Sequence, residues 1–374
     1  MKKILGVLAI FALIVVLTSC SQQASRVPEG VWQLQSSDID FGYVGVGTLD
    51  YLSFDQGKPT AQLFGHDDRA GLKGYASVFV NTTNGLLIIW PDSGMGGCGA
   101  GAVVPQELSY AYRYETSGNT LTLTDSQGRI ATFDKAAEVP AAARIELLEP
   151  TLSVPLNLPV DVAYASNLLS DGTRLWVVGE DRRAYPIDPE TGSVGAGQTL
   201  TAHSSYFHAV TMQDGDFWSH CQCGGSHKIK RLRLGGTEID EVDTDADLGH
   251  EISIRAGSWD GHRLWLLGFN HDRDRSELLR VDTDAEPDSL ESVFVFDTGM
   301  LRRLTYHEGA LWGLFRFAGW QVAELDPAAG RVSQNYTLPV LGIEDRYLGI
   351  ASLGGKLYLL SEEGDGYKLI AVQP

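Results

Sequence analysis

Positive charge is scarce in this sequence. Among its 374 residues, 29 are Lys or Arg and 48 are Asp or Glu, so the formal net charge is −19 at pH 7. A surface this acidic repels the phosphates of nucleic acids and the headgroups of anionic lipids. The composition therefore excludes nucleic acid as a partner and argues against a basic membrane-binding patch.

Cysteine is scarce as well, with only Cys20, Cys98, Cys221 and Cys223 in the chain. So few cysteines predict no disulfide framework, although one bridge fits an oxidising compartment. Familiar catalytic motifs are also missing: there is no Gly-x-Ser-x-Gly elbow, phosphate-binding loop, His-Glu-x-x-His or dinucleotide fingerprint. The sequence offers no recognisable catalytic centre.

Long apolar runs are absent apart from residues 4–17, and these 14 residues are too few to span a bilayer as a helix. Lys2 and Lys3 precede the run, and Leu17-Thr18-Ser19-Cys20 ends it. This pattern resembles the lipobox of bacterial lipoproteins. The resemblance implies that residues 1–20 are a signal peptide, that Cys20 carries acyl chains, palmitate included, and that residues 21–27 are a tether. An ordinary secretory signal is the alternative.

By the same resemblance, Ser21 after the lipidated cysteine favours the outer membrane of a bacterial cell envelope. We expect the protein to be lipid-anchored there, facing the periplasm or the cell surface. Attachment then depends on the acyl chains and not on surface charge.

A short phrase built around Leu-Trp recurs along the last two thirds of the chain. Its aromatic residues are Trp176, Trp218, Trp265, Trp312 and Tyr358, at intervals of 42, 47, 47 and 46 residues. A Gly precedes each phrase, and short β-like runs flank it. Four short strands per repeat, at a period in the forties, are typical of a β-propeller blade. We expect the aromatic residues to pack between neighbouring blades.

The two ends of this repeat region predict a closed ring. Only one strand fits after Tyr358, so residues 143–153 are expected to supply the missing outer strand of the last blade. This gives a propeller of five blades over residues 143–374, with a sixth, degenerate blade as the alternative. The turn Asp188-Pro189-Glu190-Thr191-Gly192 resembles that of bacterial β-propellers with an Asp-Pro-x-Thr-Gly turn.

Residues 28–136 lack this period and read as eight β-like runs separated by turn signals, which suits a small up-and-down barrel. Their opening Gly30-Val31-Trp32 resembles the Gly-x-Trp of lipocalins. The resemblance implies a lipocalin-like barrel in which Arg129 covers Trp32; a small β-sandwich is the alternative. Residues 137–142 are expected to be the linker. The predicted fold class is all-β: a small lipocalin-like barrel followed by a β-propeller.

The end of the propeller where the inner strands begin is the natural place for a binding site. The seven candidate residues there are His208, Arg255, Arg302, Arg303, His250, Glu251 and Arg346. Arginines that converge with a histidine predict a pocket for a carboxylate or sulfate group. The alternative is that they form ordinary ion pairs between blades.

Two stretches raise the question of a metal. His220, Cys221, Cys223 and His227 carry the ligand types that zinc or copper prefers. Strand cysteines packed as small apolar residues, or a local disulfide, are the alternatives. Residues 243–251 begin like a calcium loop but lack its glycine at the sixth position and have Ile254 at the twelfth, so an acidic turn is favoured over calcium binding.

These observations favour a membrane-anchored binding or scaffold lipoprotein that recognises a protein or a small anionic ligand on the axial face of its propeller. The alternative is a propeller enzyme, because five-bladed propellers include glycosidases, cyclotransferases and lyases. His208 or His250 is then the acid/base, and the arginines stabilise an anionic intermediate. No motif of those families occurs here. Ligand carriage inside a hollow barrel is a third option.

Overall fold

A computed structural model gives the architecture. It describes residues 28–39, 41, 48–54, 60–67, 71–83, 86–91, 110–162, 167–200, 207–223, 226–244, 248–273, 275–282, 289–296, 301–316, 319–339, 346–364 and 366–374. These residues form two compact units, one drawn from 1–67 and 73–144 and the other from 68–72 and 145–374. Within the described part of the chain, no helix is long and apolar enough to cross a membrane.

The first unit is a closed antiparallel barrel in which each strand pairs with the next and β1 pairs with β8. Its interior is apolar, and Phe41 contacts the rings of Tyr112 and Phe133 there. The strands are β1 Gly30–Ser37, β2 Thr48–Phe54, β3 Thr60–Asp67, β4 Leu72–Thr83, β5 Leu86–Pro91, β6 Tyr110–Ser117, β7 Thr120–Thr124 and β8 Ile130–Ala136. One turn of 3-10 helix, Ala141–Ala143, follows.

Trp32 is buried on β1, but the prediction that Arg129 covers it was wrong. The Lys135 ammonium lies 5.5 Å from the Trp32 ring centroid, and the two residues are direct partners across β1 and β8. Arg129 instead bonds to the Asp125 carboxylate, 2.6 Å from Nε to Oδ2, in the turn before β8. The cation over Trp32 does come from the last strand of the barrel, but it is Lys135, the residue paired directly with Trp32.

The second unit is a five-bladed β-propeller. In every blade the innermost strand comes directly before the strand that carries the recurring aromatic residue, and the innermost strands contact one another around the ring. The first three blades are β11 Leu169–Ser170, β12 Leu175–Val178, β13 Arg183–Ile187 and β14 Gln198–Thr199; β15 Phe207–Gln213, β16 Asp216–Cys223, β17 Ser226–Leu232 and β18 Glu238–Asp243; and β19 Ile252–Trp259, β20 Leu264–Asn270, β21 Arg275–Asp282 and β22 Ser289–Phe296. The fourth blade is β23 Leu301–His307, β24 Ala310–Arg316, β25 Trp320–Asp326 and β26 Arg331–Thr337.

The fifth blade closes the ring with a strand from the opposite end of the domain. Its own strands are β27 Arg346–Leu353, β28 Lys356–Glu363 and β29 Gly366–Val372, and β10 Leu152–Leu156 pairs with β29 as the outer strand. The predicted clasp is confirmed, but it was placed too early in the chain. Most of residues 143–153 precede β10, and β9 Glu146–Leu147 adds a short parallel strand to the fourth blade instead.

The recurring aromatic residues form the contacts between blades, as predicted. Trp176, Trp218, Trp265, Trp312 and Tyr358 are each at most 7% exposed, and each belongs to a different apolar cluster shared by two neighbouring blades. A blade face cannot bury itself, so one large aromatic side chain per interface supplies much of the area that holds the ring together.

In three blades the turn or strand end ahead of the recurring tryptophan bonds to its indole. The Asp171 side chain accepts hydrogen bonds from the backbone of its own turn and, at 2.8 Å, from Trp176 Nε1. Asp260 does the same for Trp265, also at 2.8 Å, and Gln213 accepts from Trp218 Nε1. In the first and third blades, one aspartate therefore fixes the hairpin turn and satisfies a buried indole donor.

Candidate functional site

The inner strands are irregular where the predicted site residues lie. β15, β19, β23 and β27 each contain one residue that the neighbouring strand does not match: Val210, Arg255, Arg302 and Leu348. Such bulges bend a strand and redirect a side chain. Two of the seven candidate residues therefore occupy bulge positions, which sequence spacing alone does not reveal.

Asn167, just before β11, links blades across the centre of the ring. Its side chain is 2% exposed, its Nδ2 donates to the Leu304 carbonyl at 3.1 Å, and its Oδ1 accepts from the Ile350 amide at 3.0 Å. These partners lie on the inner strands of the fourth and fifth blades. A single buried amide thus satisfies two backbone groups and joins three blades.

Beyond Asn167, toward the ends of the inner strands, lies a cavity of about 260 Å³. Each blade contributes one serine or threonine to its lining: Ser170, Thr211, Ser258, Thr305 and Ser352. None of the seven predicted residues lines this cavity. Sequence reasoning missed the site, although a Ser or Thr two to four residues ahead of each pre-aromatic Gly was visible.

A buried histidine that does not itself line the cavity contacts one of the serines that do. His307 Nδ1 lies 2.9 Å from Ser352 Oγ, and the imidazole is 4% exposed beside the Trp312 ring. Burial lowers the pKa of His307 below its usual 6.5, against a smaller opposing effect of the Glu308 charge. The imidazole is therefore neutral at pH 7.

At the other end of the inner strands, the described arginines contact neighbouring parts of the fold. Arg303 donates from Nε to the Leu348 carbonyl at 2.7 Å and from Nη1 to the Arg302 carbonyl at 2.8 Å. Arg346 pairs with Glu362 at 2.5 Å, and the Arg255 guanidinium lies 3.9 Å from the Phe269 ring centroid. These contacts tie the three arginines to the fold, and the ion pair of Arg346 lies within the fifth blade and not between two blades.

The anion pocket itself stays a prediction. The loops at 201–206, 297–300 and 340–345, which lead into the inner strands, lie outside the described residues, as does the side chain of His208. His250 Nδ1 lies 3.0 Å from the Leu248 carbonyl, and its Nε2 is 3.7 Å from Glu277, a 2% exposed carboxylate that Asn270 and Ser292 also contact.

The candidate metal cluster has a different arrangement. His220 Nε2 lies 2.9 Å from His227 Nδ1, and His227 Nε2 lies 3.2 Å from Glu251, whose side chain is 57% exposed. The ring planes of His220 and His227 differ by 4° and their centroids lie 5.1 Å apart. His220 Nε2 and His227 Nδ1 therefore face each other along the line between the two rings. The result is a hydrogen-bonded chain leading from an exposed carboxylate to a buried imidazole.

Cys221 is disulfide-bonded, which removes its thiolate from metal binding. Cys20, Cys98 and the Cys223 side chain lie outside the described residues, as does part of the acidic turn at 243–251. Among the residues that are described, no group of three or more His, Cys, Asp or Glu side chains is arranged to hold a metal ion.

Comparison with known proteins adds little beyond the fold. No known family model and no curated protein matches the chain. It is similar to the PQQ-bound aldose sugar dehydrogenase of Streptomyces coelicolor at 13% identity and TM-score 0.39, over 60% of this chain and 99% of that one. BamB from Moraxella catarrhalis is 11% identical, with a TM-score of 0.26, over 84% of this chain and 96% of BamB. The Pan2 WD40 domain of Neurospora crassa is also 11% identical, with a TM-score of 0.31, over 92% of this chain and 96% of that domain. Likenesses this weak carry no functional argument.

Proposed function

We propose that this chain is a lipid-anchored extracytoplasmic binding or scaffold protein. Its propeller recognises a protein partner, with a small anion as the second ligand class, at the end where the inner strands begin. The lipobox-like Leu17-Thr18-Ser19-Cys20 supports the anchor. By its Gly-Val-Trp opening and eight antiparallel strands, we further propose a lipocalin-like identity for the barrel.

The observation that carries this proposal is the internal bracing of the ring by Asn167. Asn167 joins the first, fourth and fifth blades at mid-depth, so the ring is braced internally. The described cations at the proposed face bond to carbonyls, an aromatic ring or a surface carboxylate. A braced disc with a charged end suits recognition of another surface, since rigid partners lose little conformational entropy on binding.

The anchor is tested by growing cells with an alkyne analogue of palmitate. We expect wild-type chain to be labelled and membrane-associated, and Cys20→Ser to lose both properties. Cys98→Ser is the matched control and keeps them. Labelling that survives Cys20→Ser contradicts the anchor.

The partner surface is tested with two exposed cations of the fifth blade. A photo-crosslinking amino acid replaces either Arg346, where the inner strand begins, or Lys356, past its far end. We expect a discrete crosslinked band from position 346 and none from 356. Addition of sulfate or succinate to the purified chain tests the small-anion class by its thermal unfolding. The same crosslinks from both positions, or no crosslink together with no thermal shift, contradicts the proposed surface.

An enzyme is the second candidate, because His307 contacts Ser352 at the cavity wall at 2.9 Å. A neutral imidazole in that position can accept the proton of a serine that attacks an ester. A fluorophosphonate probe, which labels activated serines covalently, tests this. Labelling abolished by Ser352→Ala and by His307→Gln supports an enzyme, and an unlabelled wild-type chain argues against a serine nucleophile.

A further inference from the structure

We infer that the axial cavity is a binding site for one neutral sugar residue. The cavity lies at the opposite end of the inner strands from the proposed partner surface, so this inference does not depend on the proposed function. It rests on the chemistry of the cavity wall, on its charge and on its size.

A serine or threonine from every blade lines the cavity. Thr211, Ser258 and Thr305 are each opposite the recurring Trp of their blade in strand register, and Ser170 and Ser352 lie one residue further along their strands. The first three are only 5–8% exposed. A hydroxyl both donates and accepts a hydrogen bond, so this ring complements a ligand that carries hydroxyls of its own.

The charge of the cavity excludes anions. Among the described residues that line it there is no Lys, Arg or His, whereas Asp171 and Asp214 are present. The Asp171 carboxylate is held in place by its turn and by Trp176. A carboxylate or phosphate ligand there would find repulsion and no cation, so a neutral ligand is favoured.

The size and the aromatic residues narrow the ligand further. The cavity volume of about 260 Å³ is smaller than the roughly 300–1,000 Å³ of pockets that hold drug-sized ligands. One sugar ring therefore fits in the cavity, and an oligosaccharide does not. Trp259 and Tyr306 also line the cavity and are partly exposed. An aromatic residue offers an apolar surface with a polar tip, which matches the mixed surface of a sugar ring.

The test is saturation-transfer NMR and calorimetry on the full chain with glucose, galactose, mannose and N-acetylglucosamine. Glucuronate and galacturonate are the charged counterparts of the first two sugars. We expect at least one neutral sugar to bind and its uronate to bind at least about tenfold more weakly. Absence of binding by all four neutral sugars, or equal binding of a uronate, overturns the inference.

Variants assign the binding to the cavity. Thr305→Val and Ser258→Ala each remove one hydroxyl at nearly constant shape, and each is expected to weaken binding about tenfold. Thr337→Val, on the outer strand of the fourth blade, is the matched control and leaves binding unchanged. Thermal unfolding identifies a variant that fails to fold, in which case the other is used. Wild-type affinity in both folded cavity variants overturns the inference.

The source of the sugar is distinguished with methyl glycosides and disaccharides of the same sugar. Binding of the glycoside and disaccharide as well as the free sugar assigns the site to the end of a glycan. Binding of the free sugar alone assigns it to a free monosaccharide. Both results support the inference, and they differ in what the protein would meet outside the cell.

Discussion

The two ends of the propeller's inner strands use polar residues in different ways. Where the strands begin, the described arginines contact carbonyls, an aromatic ring and a carboxylate of the fold. Where they end, a serine or threonine from each blade lines a cavity. Long, charged side chains reach partners within the protein, whereas short, neutral ones leave space between blades. The described charged residues are therefore held by the fold itself, whereas the end lined by serine and threonine is the one that encloses a cavity.

Asn167 separates the two ends, and its removal has the largest expected effect. Asn167→Ala leaves the Leu304 carbonyl and the Ile350 amide buried without their partner. Two such groups cost about 2–5 kcal/mol of unfolding free energy. Urea denaturation measures the loss, with Asn335→Ala on the outer strand β26 as the milder control. Equal losses in the two variants would mean that the axis is not braced by Asn167.

Arg303→Ala tests whether the charged end serves the fold or a ligand. The change removes donors to the Leu348 and Arg302 carbonyls, so we expect a loss of about 1–3 kcal/mol in buffer without added anion. The loss is measured by urea denaturation with and without sulfate. If Arg303 binds a ligand instead, Arg303→Ala keeps the wild-type free energy of unfolding without sulfate and loses only the stabilisation that sulfate gives.

Asp171 lies at the cavity end and supports its blade as well. Burial works to raise the pKa of Asp171, but hydrogen bonds from Trp176, Thr173 and Arg174 outweigh it and hold the pKa below 3.8. A lowered carboxyl pKa gives its full stabilisation above the pKa of the unfolded chain, and this stabilisation is lost as pH falls from that value through the lower folded pKa. Asp171→Asn is expected to lower the free energy of unfolding by about 1–2 kcal/mol at pH 7. The two carboxylate oxygens accept from the turn and from the indole, and the single amide oxygen of asparagine cannot serve both.

The cost of Asp171→Asn should shrink when unfolding is measured below about pH 4. Asp326→Asn is the matched control: Asp326 caps the amides of Ala328 and Ala329 in a turn, and an asparagine oxygen serves that turn equally well. A cost that is constant with pH contradicts the charged-cap account.

His307 gives the smallest expected effect, a pH dependence confined to the cavity end. Its folded pKa lies below 6.5, so the unfolded chain binds the proton more readily. The fold is therefore expected to lose stability as pH falls below about 6.5, and His307→Gln should flatten that slope. Ser352→Ala, which keeps the buried imidazole, is the control and retains the slope. A slope unchanged by His307→Gln contradicts this account.

The blades were predictable because their signal is local. Each Leu-Trp phrase and its Gly lie within one hairpin, so the period alone indicated five blades and the burial of Trp218 and Trp265. The contacts of Asn167 were not predictable, because its partners lie 137 and 183 residues away and depend on ring closure. The clasp was inferred from the strand that the last blade lacked, but residues 143–153 and β10 barely overlap. The earlier short run, β9, pairs with the fourth blade, and the next run, β10, closes the fifth.

The pairing of β10 with β29 sets a constraint on how the protein is made. Thr151 bonds to the carbonyl of Ala371, 220 residues later in the chain. β10 is thus among the first strands of the propeller to be synthesised and among the last to find its partner. Until Val372 is available, the nascent ring has two open edges, and open edges are where chains pair with their neighbours. A chain shortened by a single C-terminal strand is therefore expected to behave as an unclosed ring that associates with other copies, and not as a propeller with one blade trimmed.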